Sequence, residues 1–144
     1  ASSPTKSPTS PTSTPTPPPR IFAIGGHFQS SVEVLTLPTT STSTPVWSSH
    51  SSMATKRFGP AAAALNNALY VFGGSTTNSD SGAVRSMEAF DLGTNGPWEA
   101  KASMSTERWV FEGSVIQGRL CAVGGRDTSQ TYLSSVECYT PSTD

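Results

Sequence analysis

The chain has 144 residues, 9 Lys and Arg against 10 Asp and Glu, a net charge of −1 and 34% hydrophobic residues. With no Lys/Arg cluster it lacks the electrostatic footprint that nucleic acid or an anionic membrane surface demands, and its longest apolar runs fall well short of the roughly 20 residues that span a bilayer. Two cysteines are too few for a disulfide-built scaffold, so a hydrophobic core must supply the stability.

Residues 1–19 contain only Ala, Ser, Pro, Thr and one Lys. Nothing in them is large enough to offset the entropy of ordering, and the composition predicts a disordered, semi-extended tail. Ser3-Pro4, Ser7-Pro8, Ser10-Pro11, Thr14-Pro15 and Thr16-Pro17 suit proline-directed kinases or O-glycosylation, with a plain spacer as the simplest reading. The chain starts at Ala without the basic and apolar stretches of a signal peptide, and is read as a processed product or an excerpt of a longer one.

From Arg20 onward one pattern returns about every fifty residues. Its first copy, 20–53, enters directly on an apolar run closed by two glycines, Ile21-Phe22-Ala23-Ile24-Gly25-Gly26, followed by Ser31-Val32-Glu33-Val34-Leu35, a low-complexity patch at 38–45, and Trp47. The second copy, 54–104, is the fullest. A strand at 58–65 turns through Asn66-Asn67 into Ala68-Leu69-Tyr70-Val71-Phe72-Gly73-Gly74, which is hairpin chemistry. A polar loop at 75–82 leads to a third strand, Ser86-Met87-Glu88-Ala89-Phe90, and a turn at 91–97 leads to a fourth, Trp98-Glu99-Ala100. The third copy, 105–144, carries Leu120-Cys121-Ala122-Val123-Gly124-Gly125 and Ser135-Val136-Glu137-Cys138-Tyr139, with no Trp after it. Trp47 and Trp98 each stand 26 residues before the first glycine of the next doublet, and Met53/Met104 and Arg57/Arg108 recur at an interval of 51. Such regularity marks a repeat architecture. No segment sustains a helical period, so the expectation is an all-β protein with three, four and three strands in its successive repeats.

The doublet closing one strand, the Ser-x-Glu strand, the Trp and the Met-x-x-x-Arg leading onward together resemble the kelch repeat, over nearly everything after Arg20. The resemblance implies an incomplete kelch β-propeller, one full four-stranded blade flanked by two partial blades. An open stack would leave apolar faces in water, so self-association of the isolated chain is expected.

Residue by residue, the glycines Gly25, Gly26, Gly73, Gly74, Gly124 and Gly125 are read as backbone positions needing positive φ or close approach, since no helix or basic residue follows to make a phosphate cradle. Trp47 and Trp98 are assigned to packing between blades. Glu33, Glu88 and Glu137 recur with Arg57 and Arg108 and are expected to form paired, partly buried charges rather than a general acid and base. His27 and His50 have no second ligand at metal spacing, and neither a metal nor a cofactor is implied. Cys121 and Cys138 face each other in a hairpin centred between Ser129 and Gln130. A directly cross-strand disulfide is geometrically awkward, so free packed thiols are expected in a cytosolic setting, which is favoured over an extracellular one.

The resemblance is nearest to the kelch-like proteins, many of which recruit substrates to cullin-type ubiquitin ligases. It implies a non-enzymatic module that offers its inter-strand loops to a protein or peptide. His27, Phe28, Trp109, Arg126 and Asp127 are the candidate partner-binding residues, because each follows a doublet or stands at a first-strand entrance. The competing readings are a propeller enzyme, such as a secreted oxidase or a small-molecule isomerase, and a structural protein with a glycosylated stalk.

Overall fold

The computed structural model describes residues 17–27, 29–40, 42–77, 79–94 and 96–141. Most of the expected tail, 1–16, lies outside the described residues. At its inner end the Pro19 carbonyl accepts a hydrogen bond from the Leu37 N–H at 2.9 Å.

Among the described residues three antiparallel sheets follow one another along the chain. The first holds β1 (Arg20–Ile24), β2 (Val32–Thr36) and β3 (Val46–His50) in that order. The second holds β4 (Ala61–Leu65), β5 (Ala68–Phe72), β6 (Met87–Asp91) and β7 (Glu99–Lys101), again in chain order. The third is built from β8 (Glu112–Ile116), β9 (Arg119–Val123) and β10 (Val136–Tyr139), with β9 central. This is the expected three, four and three, an incomplete propeller with one full blade.

The middle blade shows why these residues fold this way. Asn66 and Asn67 both take positive φ, 50° and 60°, in the two-residue link between β4 and β5, a conformation Asn tolerates and hairpin twist requires. β4 begins at Ala61 rather than at 58. Gly59 has a φ of 57° and Pro60 has no N–H to give a ladder, which leaves Phe58 with an isolated bridge to Ser75. The polar loop after the doublet contains a 3₁₀ turn, Asp80–Gly82.

The uninterrupted apolar run of β5 is buried on both faces. Val71 packs with Val32 and Met53 towards the first sheet, while Tyr70 and Phe72 pack with Leu120 and Ala122 of the third. Successive side chains point to opposite faces, so one strand serves two cores and cannot alternate apolar with polar. Gly73, just past the end of β5, sits at a close approach to the third blade. With a φ of 61°, a Cβ there would lie 2.5 Å from the Phe111 ring and 2.7 Å from the Arg108 carbonyl.

Three expectations need correction. Trp47, assigned to packing, is 51% exposed on edge strand β3, because no sheet covers that face of the first blade among the described residues. Glu33, expected to form a paired, partly buried charge, is exposed, since no arginine stands ahead of it at the distance that separates Arg57 from Glu88. Cys121 and Cys138 are joined in a disulfide rather than free. The register of β9 and β10 places them directly opposite each other, with Cα atoms 4.1 Å apart.

Candidate protein-binding face

The joints between blades hold the loops in place. Arg57 is fully buried, and its Nη1 donates to the carbonyls of Gly73 (2.7 Å) and Ser86 (3.0 Å). Its Nη2 donates to the Ser86 hydroxyl at 3.0 Å and to Glu88 Oε1 at 2.9 Å. The Glu88 carboxylate also accepts the backbone N–H groups of Ala54 and Thr55, at 2.7 and 3.1 Å. One charge pair thus ties the linker, the doublet and the third strand together.

Arg108 repeats this arrangement on Gly124, Ser135 and Glu137, with Ser105 and Thr106 supplying the backbone donors. Burial alone would raise the Glu137 carboxyl, but hydrogen bonds from Ser105 and the charge of Arg108 outweigh it and hold the group at about 2. Burial likewise opposes ionisation of Glu88, and its bonds to Arg57, Ala54 and Thr55 carry it below the usual carboxylate range. On the other side of that pair, burial pulls Arg57 below the ordinary arginine value despite Glu88.

The loops after the three doublets and the residues entering the first strands converge at one end of the sheets. A row of rings runs across the blades there. His27 meets Phe58 edge-on with centroids 6.3 Å apart, Phe58 lies 6.0 Å from Trp109, and the Arg126 guanidinium sits 5.0 Å over the Tyr132 ring. Trp109 and Arg126 are joined by two backbone hydrogen bonds of 3.1 and 3.0 Å. Asp80 stitches the second blade to the third, its Oδ1 accepting the Trp109 indole N–H at 2.7 Å and its Oδ2 lying 3.3 Å from Arg126 Nη2.

Of the residues singled out from sequence, His27, Trp109 and Arg126 are brought into this row. Trp109 is only 9% exposed, wedged between Phe58 and the Asp80 loop, so it supports the face and does not project from it. Asp127 is spent on its own loop, its Oδ1 accepting the N–H groups of Ser129 and Thr131 at 2.8 and 2.9 Å. Phe28 lies outside the described residues. Sequence reasoning passed over Phe58, Asp80 and Tyr132. Phe58 was findable as the repeat counterpart of Trp109, whereas Asp80 sits in a polar loop with no signal of its own. Tyr132, at 79%, is the most exposed of the large hydrophobic side chains among the described residues. Among the described residues no three His, Cys, Asp or Glu side chains cluster as metal ligands would.

The Trp98 indole fills the seam between the first two blades. It packs on the Val32, Met53 and Val71 cluster, stands 5.6 Å from the Phe90 ring and donates its N–H to the Ser51 carbonyl at 2.8 Å.

Comparison with known proteins agrees with this architecture. Kelch-like protein 9 of Mus musculus is 37% identical over 94 residues, covering 64% of this chain and 15% of its own length. Kelch-like protein 31 of Homo sapiens is 36% identical over 97 residues, 65% of this chain and 15% of its own length. The chain thus spans about a seventh of the curated relatives it matches. Among solved structures, one titled "Structure of YjhT" superposes with a TM-score of 0.72 at 14% identity, over 86% of this chain and 46% of that one, which speaks for the fold. The Kelch motif matches residues 56–105 and 111–144, more than half of the sequence, and the chain therefore belongs to the kelch-repeat family.

Proposed function

We propose that this chain is a protein-binding module whose working surface is the ring-lined face running from His27 through Phe58 and Trp109 to Arg126 and Tyr132. The observation that carries the reading is the continuity of that face. Loops from all three blades contribute, two of them are locked together by Asp80, and an exposed Tyr stacked under an Arg crowns it. Tyr and Arg are the residue types that concentrate binding energy when a partner desolvates them. The likeness to kelch-like proteins supports a finer reading, the substrate-recognition part of a ubiquitin-ligase adaptor.

We also read the module as non-enzymatic. Glu88 and Glu137 are each held by an arginine and two backbone N–H groups, which leaves neither poised as a general base. Selecting a displayed peptide library on the folded chain tests the binding reading. Selected peptides should lose at least about tenfold in affinity against Tyr132→Ala or Arg126→Ala. Peptides that bind both variants as tightly as the parent would place the working surface elsewhere.

A further inference from the structure

The loop joining β2 to β3 is longer than its blade requires. Ten residues separate Thr36 from Trp47, against six between Asp91 and Trp98 at the same place in the second blade, and six of those ten are Ser or Thr, with no charged residue among them. The second blade closes its shorter connection with defined bonds, the Leu92 N–H to the Asn67 carbonyl at 2.9 Å and the Gly93 N–H to Asp91 Oδ1 at 2.7 Å. In the first blade Thr39, Thr40, Thr42, Ser43 and Thr44 are all exposed, and Pro38 and Pro45 bracket the run. Where these hydroxyls bond at all among the described residues, it is to one another, Thr40 Oγ1 lying 3.3 Å from Thr42 Oγ1 and 3.5 Å from Ser43 Oγ. The hydrogen bond from the Leu37 N–H to the Pro19 carbonyl, 2.9 Å, joins the Ser/Thr/Pro-rich N-terminal sequence to the blade beside this loop. β1 runs from that junction to the Gly25-Gly26 doublet, so the loop stands at the end of the first sheet opposite the ring-lined face.

We infer that the exposed threonines of this loop, Thr39, Thr40, Thr42 and Thr44, are acceptors for O-linked N-acetylgalactosamine of the mucin type. Uncharged runs of Ser and Thr punctuated by Pro are the acceptor composition of that chemistry, and here the run projects from a folded sheet that makes no use of its hydroxyls. A second observation points to the same compartment. The Cys121–Cys138 disulfide is a kind of bond that persists on the oxidising secretory route and is rare in the cytosol. In the transfer a threonine Oγ1 attacks C1 of UDP-N-acetylgalactosamine, the bond from C1 to the diphosphate oxygen breaks, UDP leaves, and the hydroxyl proton passes to the transferase or to water. Sugars there would stand away from the His27–Tyr132 face, leaving the binding reading in place while arguing against its ubiquitin-ligase form.

Tryptic cleavage after Lys and Arg isolates the loop on peptide 21–56, the N-terminal sequence on 7–20 and the counterpart loop of the second blade on 86–101. The whole chain, made in bacteria and incubated with a polypeptide N-acetylgalactosaminyltransferase and UDP-N-acetylgalactosamine, should gain sugar on 21–56, mapped by electron-transfer fragmentation to threonines within 39–44, and none on 86–101. Thr39→Ala, Thr40→Ala, Thr42→Ala and Thr44→Ala combined should abolish that gain without moving the urea midpoint. Absence of sugar from 21–56, whether or not 7–20 is modified, would overturn the proposal, as would sugar on 86–101 to the same extent or sugar on 21–56 that maps outside the loop. So would a loop modified only by the cytosolic O-linked N-acetylglucosamine transferase with UDP-N-acetylglucosamine, which would take the modification off the secretory route.

Discussion

At the residue scale the arginine staples separate side chains that look alike in the sequence. Glu33 and Glu88 sit at the same repeat position, yet only Glu88 has an arginine to meet. Arg57→Ala should destabilise the chain by about 3–5 kcal/mol, because it strands a buried carboxylate. Glu33→Gln should leave the urea midpoint unchanged, as expected for an exposed group with no ion pair among the described residues. Equal losses from both would mean that Glu33 is held as Glu88 is. Trp109 illustrates how position in a loop misleads. Its place at a strand entrance reads as rim from the sequence, but Phe58 and Asp80 bury it. Trp109→Ala should cost roughly 3–5 kcal/mol in chemical denaturation, and a loss under about 0.5 kcal/mol would return it to the rim.

Among the elements, strands were more legible than their ends. The doublets, the Asn66-Asn67 turn and the Ser-x-Glu strands announce themselves by local chemistry, and all three sheets follow from them. The start of β4 depended on Gly59 and Pro60 acting together, and β7 begins at Glu99, one residue beyond Trp98. The pairing of Cys121 with Cys138 was legible as register, since counting back from the loop centre puts them opposite each other. Whether two facing thiols become a bond depends on local geometry that spacing alone does not carry. Reducing that bond should lower stability by about 3 kcal/mol, the scale for a loop of this size, measured as a reductant-dependent shift of the denaturation midpoint. No shift would argue against a stabilising bond.

The third blade should also respond to acid. Glu137 is held at about 2 in the folded chain against an ordinary value of 4.5. A depressed carboxyl contributes its full stabilisation above the unfolded value and loses it as the pH falls towards the folded one. Stability should therefore be flat above roughly pH 5 and decline between about pH 5 and pH 2. Glu137→Gln should reduce that decline, and an unchanged acid limb in the variant would remove Glu137 as its source.

For the whole molecule, the outward faces dominate. Ile21 and Trp47 on the first sheet, and Ile116, Val123 and Val136 on the third, are all 39% exposed or more and lie on the faces turned away from the middle sheet. Apolar exposure of this extent beside unpaired strand edges favours association. The chain should sediment as dimers or larger species at micromolar concentration and enhance the fluorescence of a hydrophobic dye. A dye-silent monomer would contradict this. The repeat made the exposed ends foreseeable, but it misjudged Trp47 and Glu33 because repetition assigns every copy the same neighbours. Copies at the ends of the described array do not have them.

The location of the staples bears on how such arrays grow. Arg57 and Glu88 fall within a single repeat unit, as do Arg108 and Glu137, while the indole that wedges a unit against its predecessor is carried by that unit's own Trp98. A duplicated stretch of gene of this length would arrive with both halves of its clamp and with its own wedge already encoded. It would need only a preceding unit with an apolar seam to dock on. Blade number can therefore change by copying without compensating substitutions in the neighbours, and drift in one unit's clamp leaves the clamps of the others intact.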